Sequence, residues 1–231
     1  MPNWCENKLV ITGPAEEITA FQDLIIEGTR TNDYGKEELD YQLCNKALPM
    51  PAILEGTRHP HLETREVPSD YAKWLADETN ELWTQEHYDE QVANWETSYD
   101  KTQQALEEIG IGDWYTWQNK NWGTKWGDCD TRLVTRTETS LYFDYETAWG
   151  PLSHDFFVSV SKRFPNLEFV NTYEEGGMAF LGMQCYKDGS VLFEASGDMP
   201  PYEEDDDNLA FYQGIDDIFD EWYEEYKKEL V

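Results

Sequence analysis

Along this chain the spacing of apolar residues switches between a period of two and a period of about 3.6, and the order of those switches constrains the fold most. Residues Trp4 to Thr12 read as a strand, closed by Gly13-Pro14. A helix is expected over Ala15–Glu27, with Pro14 at its first turn, Glu16 and Glu17 near the positive end of its dipole, and Gly28 as its stop. Ile18, Phe21 and Ile25 recur on one stripe of that helix. Strand patterns return over Cys129–Thr137 and Ser140–Thr147, followed by a helix over Ser153–Phe164 with Phe157, Val160 and Phe164 on one stripe. Three further strands fit Leu167–Tyr173, Met178–Tyr186 and Val191–Ala195, joined by Gly176-Gly177 and Asp188-Gly189 turns.

Strand, helix, strand, strand, helix, strand is the order of the ferredoxin-like arrangement. The expected class is therefore α+β: one antiparallel sheet with two helices on one face, lengthened by one or two extra strands. Two segments lie outside this order. Residues Thr29 to Pro68 read as irregular, and from Ser69 onward Tyr71, Trp74, Leu75, Tyr88, Val92, Trp95, Tyr99, Leu106 and Ile109 describe a short helix and a long one ending at Gly110. At the far end, Asn208–Leu230 carries the helical stripe Ile215, Ile218, Phe219, Trp222 and Tyr226, which must pack on this chain or on a partner. The expected organisation is one domain: a core of residues 1–28 and 111–197, a helical insertion at 63–109 and an acidic C-terminal helix within 203–231.

Charge narrows the function. Of 231 residues, 48 are Asp or Glu and 17 are Lys or Arg, a formal net charge of -31. Broad binding to duplex nucleic acid or to an anionic membrane needs the opposite balance. Disorder is excluded by 10 Trp, 14 Tyr and 10 Phe, which an unfolded acidic chain would lack. The acid is concentrated: residues 63–109 carry 13 acidic and 3 basic side chains, and residues 203–231 carry 12 and 2. Cys5, Cys44, Cys129 and Cys185 show no paired spacing, the opening residues lack the pattern of a secretory signal, and no window resembles a membrane span. Reduced thiols in a cytoplasmic protein are expected.

Three places hold residues capable of recognition. Trp114, Trp117, Trp122 and Trp126 crowd one block, with Lys120, Lys125, Arg132 and Arg136 nearby in sequence; stacking of single-stranded bases and plain packing are both open to them. The outer positions of the tail helix, Asp216, Asp217, Asp220, Glu221 and Glu224, form an acidic surface suited to a basic partner protein. His59 and His61, and the run Glu203 to Asp207, are the nearest approach to metal ligands, but neither has the spacing of a known site. No glycine-rich phosphate loop, dinucleotide fingerprint or Gly-x-Ser-x-Gly nucleophile occurs, so no cofactor and no conventional catalysis are expected.

Three blocks, Met1-Pro2-Asn3-Trp4-Cys5-Glu6-Asn7, Asn121-Trp122-Gly123-Thr124-Lys125-Trp126 and Thr147-Ala148-Trp149-Gly150-Pro151, resemble in sequence and order the YubB-like or Api-like family of phage- and plasmid-encoded proteins. The resemblance implies a ferredoxin-like topology, with no iron-sulfur cluster, and a mobile genetic element as the source. It supplies no catalytic residues. The expected function is a non-enzymatic interaction protein of phage type that binds a host or phage protein, with imitation of nucleic acid by its acidic surface as the specific form. A single-stranded nucleic-acid-binding module built on the Trp-rich block is the alternative.

Overall fold

The computed structural model describes residues 2–31, 34–75, 84–201 and 208–229. It divides into two compact units, one comprising Met1–Pro49 with Lys120–Val231 and the other Met50–Asn119. Residues 63–109, expected as a helical insertion, lie within the second unit.

In the larger unit the elements run β1 (Trp4–Thr12), α1 (Ala15–Ile25), β2 (Ile26–Thr31), β3 (Glu37–Tyr41) and α2 (Leu43–Ala47). After the insertion come β4 (Cys129–Arg136), β5 (Ser140–Ala148), α6 (His154–Arg163), β6 (Glu168–Glu175), β7 (Phe180–Lys187), β8 (Ser190–Asp198) and α7 (Asn208–Glu229). Among the described residues the main sheet has six strands in the order β4-β5-β1-β6-β7-β8, every neighbouring pair antiparallel. The first four of these form the ferredoxin-like sheet, with β5 and β1 central, and β7 and β8 extend it past β6.

β1 shows why the sheet forms there. Its side chains alternate strictly, with Cys5, Asn7, Leu9 and Ile11 buried and the residues between them exposed. Leu9 and Ile11 face α1 and α6, whose Phe21 and Phe157 meet Phe169 and Tyr186 of the sheet; Phe21 lies edge-on to Phe169 at 5.5 Å and Phe157 stacks on Tyr186 at 4.8 Å. Ser153 caps α6, its hydroxyl accepting from the Phe156 amide at 3.2 Å. Asp188 and Gly189 both take positive φ, as a two-residue hairpin between β7 and β8 requires.

The tail stripe packs on this chain. Tyr226 of α7 joins Met183, Cys185 and Phe193, with Trp222, Val170, Leu192 and Ala195 around them. These β7 residues alternate with Tyr186, so α7 covers the face opposite α1 and α6. Six consecutive residues of β7, Leu181 to Tyr186, are accordingly buried.

Two expectations are corrected. α1 stops at Ile25, not at Glu27, and the chain passes directly into β2; Gly28 marks a register shift in the β2–β3 pairing and is not the helix stop. The stretch expected to be irregular holds β2, β3 and α2. α2 is only five residues long, and its first amides, Leu43 and Cys44, donate to the Asp128 carboxylate at 2.9 and 2.7 Å across 85 and 84 positions of sequence. No local reading could have found that cap.

The smaller unit contains a 3-10 turn (Ala52–Leu54), α3 (Ser69–Leu75), α4 (Gln85–Ile109) and the first residues of α5 (Trp114–Asn121), which crosses the unit boundary. Thr84 caps α4, and Gly110 ends it at φ 73°, a conformation costly for other residues. The fully buried face of α4 is Ser98, Thr102 and Ala105, and not the larger stripe expected; Leu106 and Ile109 are 37% and 39% exposed. Small side chains let α4 approach the Ala52–Leu54 turn closely, which the apolar count does not register. Tyr71 and Trp95 of this stripe instead pair at 5.5 Å, with the Arg58 guanidinium 5.7 and 5.2 Å from their rings.

Candidate binding groove

The three sequence blocks meet at one end of the main sheet. The Trp149 amide donates to the Asn3 carbonyl at 2.8 Å, and Asn7 Nδ2 donates to the Thr147 hydroxyl at 2.9 Å. Asn171 joins them, its side chain donating to Asn7 at 3.4 Å and accepting from the Tyr145 hydroxyl at 2.8 Å, so a buried polar row runs across β5, β1 and β6. Gly123 holds the second block against the third: at φ 84° a Cβ there would stand 2.8 Å from the Ser153 amide nitrogen.

On the other side of the same strands lie exposed aromatics. Trp126 stacks on Trp149 with centroids 5.6 Å apart, and Trp4 lies 6.3 Å from Trp126. The three are 41% to 52% exposed. The Lys125 ammonium sits 5.0 Å from the Trp126 ring. Trp4 also lines a groove of ≈ 540 Å³, shared with Glu6 and Glu174 of the sheet, Met199, Pro200 and Pro201 after β8, and Phe211, Tyr212 and Ile215 of α7. The Met199 amide is fixed to the Ala179 carbonyl at 2.8 Å, which ties this wall to the β6–β7 turn.

The groove is acidic as well as aromatic. Glu6 stands directly opposite Glu146 on β5 and directly opposite Glu174 on β6. Three glutamates in one cross-strand row oppose folding by mutual repulsion. Burial raises the Glu174 carboxyl above its ordinary range, an effect countered by Lys8 and reinforced by Glu6 and Asp216. Burial, with Asp130 and Glu6, likewise raises Glu146. Glu174 Oε2 is buried without a hydrogen-bond partner among the described residues. Glu6→Gln is therefore expected to stabilise the protein by up to about 1 kcal/mol, read as a higher urea midpoint at unchanged slope. A lower midpoint would show that Glu6 makes a favourable contact instead.

Of the block expected to carry recognition, Trp126 alone joins this surface. Trp122 is 1% exposed and its Nε1 donates to the Leu48 carbonyl at 2.9 Å; Trp117 is 7% exposed. Both are packed into the protein, one of the two arrangements open to the block from its sequence. Trp114 is half-buried, its amide donating to the Thr57 hydroxyl at 3.0 Å. The nearby cations are separately engaged: Arg136 donates to Gln22 and Thr19 of α1, and Arg132 lines a shallow depression with Asp144 and Glu146. Asp216, Asp217, Asp220, Glu221 and Glu224 all lie exposed on α7, as their positions opposite the packed stripe require.

Trp4, Glu6 and Trp149 stand in the sequence only as members of the first and third blocks, without a binding role, and Glu174 not at all. A signal existed for Trp4: in the alternation of β1 it falls on the same face as Glu6 and Lys8, an aromatic on a polar side. Glu174 and the Met199-Pro200 wall carry no local signal.

Two histidine arrangements elsewhere are structural. His59 Nδ1 and His61 Nδ1 approach the buried Asp113 carboxylate at 3.0 and 3.6 Å, and Asp113 also accepts from the Thr116 amide and hydroxyl. His154 bridges Glu194 at 3.0 Å and the Tyr186 hydroxyl at 2.7 Å. Burial pushes the Tyr186 phenol upward, so it stays protonated and the chain of contacts serves as a clasp between α6 and the sheet. Among the described residues no group of three or more His, Cys, Asp or Glu is arranged to hold a metal ion; the Glu203 to Asp207 run lies outside them. No described helix is long and apolar enough to cross a membrane.

Fold and groove together define an α+β protein with a ferredoxin-like sheet and an acidic, aromatic groove on its surface. Residues 121–213 match the family model described as the ferredoxin-like domain in Api92-like protein, which supports the Api-like resemblance carried by the three blocks. The solved structure of protein api92 from Yersinia pseudotuberculosis is similar to this chain at 13% identity and TM-score 0.45, over 87% of this chain and 100% of that one. No curated protein matches.

Proposed function

We propose that this chain is a non-enzymatic protein-binding module of phage or plasmid type, whose partner presents a basic surface of the kind that otherwise meets nucleic acid. The observation that carries the reading is α7. Its inner stripe is anchored by Ile215 and Tyr226, 4% and 1% exposed, while Asp216, Asp217, Asp220, Glu221 and Glu224 are among the exposed carboxylates of its outer positions. Asp216, Asp220 and Glu224 follow at intervals of about 6 Å along the helix axis, a rigid ladder of negative charge. Such a ladder steers a cationic partner and repels phosphate. A single-stranded nucleic-acid module finds support in the exposed Trp4, Trp126 and Trp149, yet Glu6 and Glu174 sit where phosphates would have to pass.

Immobilised protein exposed to nuclease-treated host lysate is expected to retain nucleic-acid-binding proteins at low salt and release them at high salt or on addition of duplex DNA. The variant with Asp216, Asp217, Asp220, Glu221 and Glu224 all changed to Asn or Gln should lose most of that retention. If wild type and variant retain the same proteins equally, the reading fails.

A further inference from the structure

We infer that the groove between β1, β6 and α7 receives an arginine side chain flanked by apolar residues, presented by an extended segment of the partner protein; this rests on the protein-binding reading above. Three features converge on that chemistry. The first is unbalanced charge. Glu6 and Glu174 both line the groove, and Asp216 adds its field to Glu174. Lys8 is the cation acting on Glu174, and it leaves that carboxyl raised. A bound guanidinium would relieve the repulsion in the Glu146–Glu6–Glu174 row, so the stability given up in the free protein returns on binding.

The second feature is the aromatic surface. Trp4 belongs both to the groove and to the exposed cluster with Trp126 and Trp149. Indole faces beside carboxylates favour arginine over lysine, because the planar guanidinium can stack and donate to a carboxylate at the same time. The third is the wall of Met199, Pro200 and Ile215. Proline has no amide to donate, so this wall cannot supply the alternating donors of a full strand ladder and offers chiefly apolar contact. A volume of ≈ 540 Å³ is in the range that buries a small group of side chains. Nucleic acid supplies stacking bases but brings phosphates to the carboxylates, and an apolar ligand leaves them unanswered.

The full chain would be titrated with three short synthetic peptides, followed by tryptophan fluorescence: arginine flanked by leucines, glutamine flanked by leucines, and arginine flanked by glycines. Saturable binding is expected for the first, weaker by about tenfold or more for each of the others. Glu174→Gln should weaken the first peptide about tenfold and leave the glutamine peptide unchanged. Glu6→Gln provides a second variant, with circular dichroism confirming the fold. Equal affinity for the arginine and glutamine peptides, wild-type affinity in Glu174→Gln, or tighter binding of oligodeoxythymidylate than of the arginine peptide would each overturn the assignment. Salt-sensitive capture that persists in Glu174→Gln while peptide binding is absent would remove the groove assignment and leave the α7 reading standing. Peptide binding without capture would remove the α7 reading alone.

Discussion

Trp122→Ala is expected to cost about 3–5 kcal/mol, the largest effect of any tryptophan substitution in the 114–126 block. Trp122 is 1% exposed in a site so close-packed that a Cβ at Gly127 would stand 3.3 Å from its ring, and its removal leaves a cavity there. The loss also strands the Leu48 carbonyl, which accepts from Trp122 Nε1 at 2.9 Å. Trp126→Ala, only four positions on, should change stability by no more than about 0.5 kcal/mol because its side chain is 42% exposed. Urea unfolding of the two variants measures the contrast. Equal midpoints would mean that the block is uniformly surface or uniformly core, and the division drawn here would be wrong.

Tyr226→Ala should release α7 from the sheet. Tyr226 is the buried centre of the contact with Met183, Cys185 and Phe193, and its ring lies 5.9 Å from that of Phe193. Truncation is expected to cost about 3–5 kcal/mol of the contact, and a single helix of this length is marginal without packing. The readout is chemical. Burial pushes the Cys185 thiol well above its ordinary pKa, so in the native protein it is inert to a thiol reagent. In Tyr226→Ala it should react along with the half-buried Cys129, while far-ultraviolet dichroism loses helix signal. Tyr226→Phe keeps the ring and should shift stability by less than about 1 kcal/mol. Unchanged thiol reactivity in Tyr226→Ala would show that α7 is held by other contacts. Release of α7 would also dismantle the groove, since Phe211, Tyr212 and Ile215 belong to it.

The core of the fold was legible because each of its elements announces itself locally. Cys5, Asn7, Leu9 and Ile11 alternate, α6 carries its own cap at Ser153, and the Asp188-Gly189 turn needs no tertiary help. The missed elements depend on distant partners. α2 stands on Asp128, and β2 and β3, rich in charge, pair through a bulge that periodicity reads as disorder of pattern. The site was only half legible for the same reason. Sequence proximity grouped Trp114, Trp117, Trp122 and Trp126, but a helix followed by a turn sends consecutive tryptophans into different surroundings.

What the amino-acid order by itself determined was the class of sheet, its two covering helices, and an acidic tail helix with one apolar stripe. These follow from periodicity and net charge, which are properties of neighbours and sums. Tertiary structure decided which tryptophans face solvent, that Glu6, Glu146 and Glu174 form one row, and that α7 completes a groove beside Trp4. Those depend on strand register and on which face a helix covers, and register is set by pairings between residues as far apart as Glu6 and Glu174, beyond the reach of any local pattern.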